Sequence, residues 1–246
     1  MPRLSEEVSA LKKYRIKFEK GDEIRFIGHL DVMRIFQKSI RRAELPICYS
    51  NGFNPHQELY FANPLNLGMT SSAEYMDFKL SEEISPSEIK EKLNEVLPKG
   101  VLVLSVVPLS ENIKTSMADV CAASYTAEIS DERLSNIDLD KKIKEFLALD
   151  EIIILKKTKR YTKDTNIRNE IFEIKNISEN GKLRLHLCLA LSSIVSLKAE
   201  LLMNAFYNFL EIPFDKYLIR YERTELLRMD NGERKPLNVG VSEGCE

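Results

Sequence analysis

The order of the predicted secondary-structure elements is the feature that most constrains the fold of this chain. Apolar periodicity in the first half predicts a strand, a helix, two strands, a helix and a strand, at 14–20, 32–43, 46–50, 74–80, 87–97 and 101–107. The second half predicts the same order at 122–129, 138–149, 151–156, 183–191, 197–210 and 216–225, with 171–175 as a candidate hairpin strand. A β-α-β-β-α-β order that occurs twice predicts an α+β fold of tandem ferredoxin-like (βαββαβ) units with antiparallel sheets. We expect these units at 12–110 and 118–228, followed by a polar tail at 229–246.

Composition limits the classes of partner. A formal net charge of −2 over 246 residues excludes binding of polyanions through bulk charge, so a nucleic-acid contact requires a local basic patch. The four cysteines, Cys48, Cys121, Cys188 and Cys245, have no CxxC or other metal-ligand spacing, so we expect neither a metal nor a cofactor. Three of them, Cys48, Cys121 and Cys188, lie in apolar runs, which predicts buried thiols in the reducing cytoplasm. No signal peptide and no apolar run of membrane-spanning length is present in the sequence, so we expect no membrane contact.

The helix predicted at 32–43 has an unusually basic face. Asp31 is its predicted N-cap, and Pro46 ends it. The cations of the face have no acid among them, and they are Arg34, Lys38, Arg41 and Arg42. Such a face is either a solvated surface or a binding site for phosphate groups.

A turn-rich loop with an aromatic residue follows this helix. Ser50 and Gly52 are turn formers, and Phe53 lies between them and Pro55. Phe53 either packs back onto the protein or stacks on a base. His56, like His29 before the helix, is either a structural hydrogen-bonding residue or a functional one, and neither has metal-ligand spacing.

A second basic stretch lies at 156–163, with the sequence KKTKRYTK. It contains five cations, Lys159 and Arg160 among them, around Tyr161. This composition fits a solvated hairpin, and it also fits a loop that holds the backbone and one base of single-stranded RNA. Asp164 and Arg168 either join that binding loop or form an ion pair that closes a turn.

The stretch GHLDVMRIFQKSIRRAELPICYSNGFNP, followed by PLNLGMTSSAEYMDFKL, resembles the N-terminal part of the radical-SAM-linked protein family, a bacterial family that carries a domain of unknown function. The shared motifs are SHLD-like, RRA-x-LP, YS-x-GFNP, and PL-x-x-G with a later glutamate. They span roughly residues 14–110 and continue weakly through a D-x-x-x-R pattern, and the motif residues are Asp31, Ser50, Gly52, Pro55, Glu74, Asp164 and Arg168. Gly28 stands where the family has serine. The resemblance implies a radical SAM protein as partner and RNA or ribosome-related modification as context, while this chain lacks the Cx3Cx2C cluster motif.

These observations favour an accessory RNA-binding or substrate-presenting subunit that acts with a radical SAM protein. Its predicted nucleic-acid-binding residues are Arg34, Lys38, Arg41, Arg42, Phe53, His56, Lys159, Arg160, Tyr161 and Arg168. The alternative is a metal-independent RNA-processing endonuclease of tandem ferredoxin-like type, with His29 as general base. A third interpretation is a pure protein-interaction role for the 32–43 helix, so whether the chain is an enzyme stays open.

Overall fold

A computed structural model describes residues 12–157 and 162–242, with the side chains of 157 and 162 excepted. The protein is a mixed α+β structure in which β-strands pair mostly antiparallel, as the sequence predicts at this coarse level. The described chain divides into two compact units. The first holds 12–68, 73–119 and 236–242, and the second holds Met69–Ser72 and Val120–Lys235. The division differs from the predicted boundaries in two places. Residues 69–72 belong to the second unit, and residues 236–242 belong to the first.

The first unit contains six major elements and one short helix. They are β1 (Lys12–Lys20), α1 (His29–Arg42), β2 (Leu59–Phe61), β3 (Thr70–Leu80), α2 (Pro86–Val96), β4 (Val101–Pro108) and α3 (Ser116–Asp119), with a 3-10 turn at Asp22–Ile24. The strand order is β4-β1-β3-β2. The strand predicted at 46–50 is replaced by isolated bridges, Ile47 with Leu80 and Tyr49 with Gln57.

Aromatic packing joins α1 to the sheet of the first unit. Val32, Phe36 and Ile40 are buried at four-residue spacing on one face of α1. The Phe36 ring meets the Phe18 ring of β1 edge-on with centroids 4.7 Å apart, and the Phe61 ring of β2 at 5.8 Å. This packing sets the position of the helix on the sheet.

The second unit contains the remaining strands and helices. They are β5 (Val120–Ile129), α4 (Leu139–Leu147), β6 (Ile153–Lys157), β7 (Thr162–Asn166), β8 (Ile171–Asn176), β9 (Leu183–Ala190), α5 (Ala199–Phe209), β10 (Ile219–Asp230) and β11 (Glu233–Pro236), with 3-10 turns at Glu132–Leu134, Arg168–Glu170 and Lys216–Leu218. The order of the main strands is β10-β5-β9-β8, and Thr70 and Ser71 of β3 pair in parallel with Glu222 and Arg223 of β10. The strand predicted at 151–156 is β6, which pairs with β7 in a separate two-stranded sheet.

A buried ion pair holds two connecting segments on the first unit. Arg15 on β1 is fully buried, and its Nε and Nη2 atoms donate to the two carboxylate oxygens of Asp77 on β3 at 2.7 and 3.1 Å. Its remaining donors bind the carbonyl oxygens of Leu237 at 2.6 Å and Lys114 at 2.9 Å. Asp77 also accepts the Ser116 backbone N–H at 2.6 Å. The pair therefore connects the sheet to the segments on either side of the second unit in sequence.

The described part of the predicted polar tail, 229–242, has regular structure and buried side chains. β10 extends to Asp230, and β11 follows. Leu237 and Val241 are buried, and the Val241 carbonyl accepts the Ser110 N–H at 3.1 Å. Leu237 and Val241 thus pack residues 236–242 within the first unit.

Candidate functional site

Helix α1 begins earlier than its pattern predicts. It starts at His29 with Gly28 at the N-cap position, where no side chain is available to accept a hydrogen bond. Asp31 therefore lies in the first turn, where it accepts a 2.7 Å hydrogen bond from Arg34 Nη1. The predicted N-cap role of Asp31 is therefore wrong. Arg34, the first cation of the basic face, is paired with Asp31.

The other three cations of α1 differ in their availability. Arg42 Nη2 donates to the Val96 carbonyl at 2.7 Å and to Ser39 Oγ at 3.1 Å, so its guanidinium holds α1 against the end of α2. Arg41 is exposed, and its Nε donates at 3.4 Å to the carbonyl of Gln37. Lys38 is exposed and its side chain contacts no acid among the described residues. Lys38 and Arg41 are therefore the two cations of this face that remain open to a ligand.

The loop after α1 is closed by Ser50 and His56. The Ser50 N–H donates to the His56 carbonyl at 2.8 Å, the His56 N–H donates to Ser50 Oγ at 3.1 Å, and Ser50 Oγ lies 2.8 Å from His56 Nδ1. Gly52, with φ of +122°, supplies a backbone conformation that side-chain-bearing residues rarely adopt. Phe53, at the tip before Pro55, is fully exposed. His56 thus shapes the loop, while Phe53 projects from it.

Helix and loop meet at one carbonyl group. The Gln37 carbonyl accepts the Arg41 Nε donor and also Gln57 Nε2, at 3.3 Å, from the base of the loop. Tyr49, bridged to Gln57 on the opposite side of the loop, is 50% exposed. We call the set formed by Lys38, Arg41, Tyr49 and Phe53 the α1–loop surface. It combines two available cations with two exposed aromatic rings.

His29 occupies a different place, at the start of α1. Its ring is half-buried and meets the Phe61 ring edge-on at 5.2 Å. It lines a small pocket with Lys20, which donates to the Arg25 carbonyl at 3.0 Å, and with the buried family-motif residue Glu74. The free space is about 10 Å³, enough for about one water molecule. A general base must reach the ribose hydroxyl group that it deprotonates by a hydrogen bond, and a space of this size does not admit a nucleotide. No observation at this pocket favours the endonuclease alternative.

The second basic stretch is described in part. Lys159, Arg160 and Tyr161 lie outside the described residues. Arg168 donates from Nε and Nη2 to the carbonyl of Leu147, at 3.1 and 2.8 Å, and so caps the C-terminus of α4. Asp164 lies on β7 opposite Leu155 and forms no ion pair with Arg168. The contacts of Arg168 are therefore structural, unlike its predicted role in nucleic-acid binding.

A polar groove on the second unit was absent from the sequence predictions. Its volume is about 590 Å³, and Glu128, Arg184 and Arg220 lie side by side in it on three neighbouring strands. The hydrogen bonds from Arg184 hold the pKa of Glu128 below its ordinary value, and the charges of Lys182 and Arg220 lower it further. Alternation of polar and apolar residues along β5 and β9 is the signal that indicates such a face, but strand pairing is needed to bring these residues together.

Over the described ranges, no group of three or more His, Cys, Asp and Glu side chains is arranged to hold a metal ion. Of the three cysteines predicted to be buried, Cys188 is buried, whereas Cys48 and Cys121 are partly buried. Burial raises the pKa of Cys48 and of Cys188. None of the helices in the described part of the chain has the length and apolar character needed to cross a membrane.

Comparisons with known proteins give a family but no activity. The family model described as "Uncharacterized protein conserved in bacteria (DUF2344)" matches residues 13–199. No curated protein matches the chain. Among solved structures, an unknown protein from Galdieria sulphuraria is 11% identical over 87% of this chain and 97% of its own, with a TM-score of 0.25. A putative glycine cleavage system transcriptional repressor is 12% identical over 90% of this chain and 100% of its own, with a TM-score of 0.24.

Proposed function

We propose that this chain, which belongs to the bacterial family of uncharacterized conserved proteins DUF2344, binds single-stranded RNA through its α1–loop surface and presents that RNA to a radical SAM protein. The observation that carries the proposal is the fully exposed ring of Phe53 on a loop that Ser50 and His56 close. Family membership alone supports no activity, so the proposal depends on this surface and on the motif resemblance.

Exposure of a phenylalanine ring has an energetic consequence. Burial of such a side chain stabilises a protein by about 1.5–3 kcal/mol relative to exposure, and Phe53 forgoes this gain entirely. Stacking of a nucleobase on an aromatic ring recovers about 1–3 kcal/mol per base. The hydrogen bonds between Ser50 and His56 close the backbone of the loop that carries the ring, which lowers the backbone entropy lost on binding.

The neighbouring cations supply the electrostatic part of binding. Lys38 and Arg41 lie on a chain whose formal net charge is −2, so their attraction for phosphate is local. Arg42 is held by α2, and Arg34 is partly neutralised by Asp31. We therefore expect about two phosphate contacts from this helix.

Replacing Phe53 by alanine is expected to weaken RNA binding by about 1–3 kcal/mol, roughly 5- to 150-fold, because one stacked base is lost. Fluorescence anisotropy with a labelled, unstructured RNA oligonucleotide measures the change. Phe26→Ala is the matched control, since Phe26 is 66% exposed on the same unit but precedes α1, and it is expected to leave the affinity unchanged.

The same assay at several salt concentrations tests the cations. Replacing both Lys38 and Arg41 by alanine is expected to reduce the slope of log affinity against log salt by about 1.4, since each phosphate contact to a single strand contributes about 0.7. The control pair, Lys90→Ala with Lys114→Ala, removes the same charge from other exposed positions of the unit. A wild-type chain without measurable affinity for RNA at low salt contradicts the proposal.

The partner is proposed on the resemblance of the motif residues to radical-SAM-linked proteins. Affinity purification of a tagged form of this chain, expressed at its native level, is expected to recover a protein with the Cx3Cx2C motif. Mass spectrometry of the eluate identifies that protein. Recovery of RNA without any such protein would leave RNA binding in place and remove the radical SAM partnership. The free thiols are consistent with the reducing cytoplasm as the place of this work.

We also propose that each unit is ferredoxin-like. In each unit the fourth strand of a β-α-β-β-α-β sequence lies beside the first, which is followed by the third and the second. This order is β4-β1-β3-β2 in the first unit and β10-β5-β9-β8 in the second, where β6 and β7 are counted as an inserted hairpin. This common order supports an internal duplication as the origin of the two units.

A further inference from the structure

Four large apolar side chains are exposed together at the start of α1. Each exposes more than a third of its surface, and they are Phe26, Ile27, Leu30 and Leu67. The Gly68 N–H donates to the Arg25 carbonyl at 3.0 Å, so the turn that carries Leu67 lies against the turn that carries Phe26. A Cβ atom added at Gly68 would lie 3.7 Å from the Phe26 ring. We call the four side chains the α1-start patch.

The size of the α1-start patch indicates a contact surface. If a whole aliphatic or aromatic side chain has about 150–200 Å² of surface, the four expose roughly 400 Å² between them. The largest apolar patch on a monomeric protein is about 300–600 Å² and is often functional. A standard interface buries about 800 Å² on each partner, so this patch with its charged rim fits a weak and reversible contact.

Charged residues of both signs flank the α1-start patch. Asp31 Oδ1 lies 2.7 Å from Arg34 Nη1, and Asp22 Oδ1 lies 3.5 Å from Arg25 Nη1. The Arg25 guanidinium also lies over the Phe26 ring, 4.6 Å from its centroid. A rim with two acids and two bases is complementary to its own copy, because a two-fold axis can place the acids of one copy opposite the bases of the other.

We propose that two copies of this chain associate through the α1-start patch, which faces the same patch of the second copy across a two-fold axis. The apolar side chains of the two copies cover each other, and the acids of each rim face bases of the other rim. A rim of balanced charge favours a second copy over a strongly charged partner such as nucleic acid. The cations of the α1–loop surface, by contrast, repel those of a second copy.

The β4 edge of the sheet is a less suitable place for self-association. β4 ends the strand order of the first unit, and Asn94 on α2 binds its backbone at Val103. Asn94 Nδ2 donates to the Val103 carbonyl at 3.0 Å, and Asn94 Oδ1 accepts the Val103 N–H at 2.8 Å. Pro108, at the end of β4, has no N–H to donate. Pairing of β4 with a second copy would break the Asn94 contacts, whereas contact through the α1-start patch breaks no such bond.

The proposed dimer is separate from the proposed RNA binding. Leu30 and Arg41 lie about 16 Å apart along the axis of α1, at about 1.5 Å per residue. The α1–loop surface therefore stays accessible in the dimer. Phe26→Ala is expected to weaken self-association and to leave the RNA affinity of each chain unchanged, and Phe53→Ala is expected to do the reverse. Failure of one proposal is thus distinguishable from failure of the other.

Sedimentation velocity of the full chain at roughly 1–500 μM tests the proposal, and we expect the mean mass to rise from that of one chain towards that of two. Phe26→Ala and Leu30→Ser are each expected to raise the dissociation constant of the dimer about 10-fold or more. Phe53→Ala and Leu102→Ser make the same changes at exposed positions outside the patch, and they are expected to leave it unchanged. All four variants are expected to keep the wild-type unfolding midpoint, because the positions are exposed.

Charge reversal in the rim tests whether the occupant is a second copy. Asp31→Arg gives the rim surplus positive charge and Arg34→Asp surplus negative charge, so each variant is expected to dimerise about 3-fold or more weakly at low salt. An equimolar mixture of the two variants is expected to associate more tightly than either alone. A wild-type chain that stays monomeric throughout overturns the proposal. Dimers that persist in Phe26→Ala and Leu30→Ser, or a mixture no tighter than its components, also overturn it.

Discussion

Replacing Asp77 by alanine is expected to lower the free energy of unfolding by about 3 kcal/mol, the lower end of the range for a broken buried ion pair. The fully buried guanidinium of Arg15 loses its hydrogen-bonded carboxylate and keeps only the more distant Asp119, whose Oδ2 lies 3.9 Å from Nη1. Two carbonyl acceptors, from Leu237 and Lys114, also remain to Arg15 but carry no full charge. The Ser116 N–H also loses its acceptor. Urea unfolding followed by circular dichroism measures the change.

The control for Asp77 is an exposed ion pair of the same unit. Glu88 and Lys92 on α2 are 2.8 Å apart, and their side chains are 50% and 41% exposed. Glu88→Ala is expected to cost about 0.5 kcal/mol or less, since solvent screens such pairs. Asp77→Ala is also expected to release the segment after β11 to limited proteolysis. Equal losses of stability in the two variants would show that the buried pair contributes no more than a surface pair.

Replacing Phe36 by alanine is expected to lower the free energy of unfolding by about 3–5 kcal/mol. The Phe36 ring is fully buried and makes edge-on contacts with the rings of Phe18 and Phe61, so its removal leaves a cavity beneath α1. These contacts also set the position of the helix that carries Lys38 and Arg41. Chemical denaturation of the full chain measures the loss.

Phe53→Ala is the natural comparison, because it makes the same chemical change at a fully exposed position. It is expected to alter the free energy of unfolding by less than about 0.5 kcal/mol. The two phenylalanines therefore have opposite expected effects, Phe36 on stability and Phe53 on RNA affinity. A large loss of stability in Phe53→Ala would mean that its ring packs on the protein in solution, and the proposed stacking site would fail with it.

The strongest sequence patterns predict the long strands and helices well. They do not show which of the predicted binding residues already have hydrogen-bond partners within the protein. The alternation of Tyr14, Ile16 and Phe18 correctly indicates a strand that buries these three side chains on one face. The cation pattern of α1 does not show that Arg42 is held by the carbonyl of Val96, which is 54 residues away in sequence. Arg168 is similar, since its acceptor is the end of a helix whose position depends on tertiary packing.

Local physical chemistry determined, from the sequence alone, most of the longer strands and helices and the turn-rich loop at Ser50, Gly52 and Pro55, because periodicity and turn propensity are properties of neighbouring residues. It did not determine the short strand β2, and the strand predicted at 46–50 does not form. Tertiary structure alone decided which charged groups are used within the protein and which are left for a ligand. Arg15 is buried against Asp77, while Lys38 remains exposed. The physical reason is that a charged side chain binds whichever acceptor the fold brings within hydrogen-bond distance. The separation of two residues in the sequence does not give their distance in space.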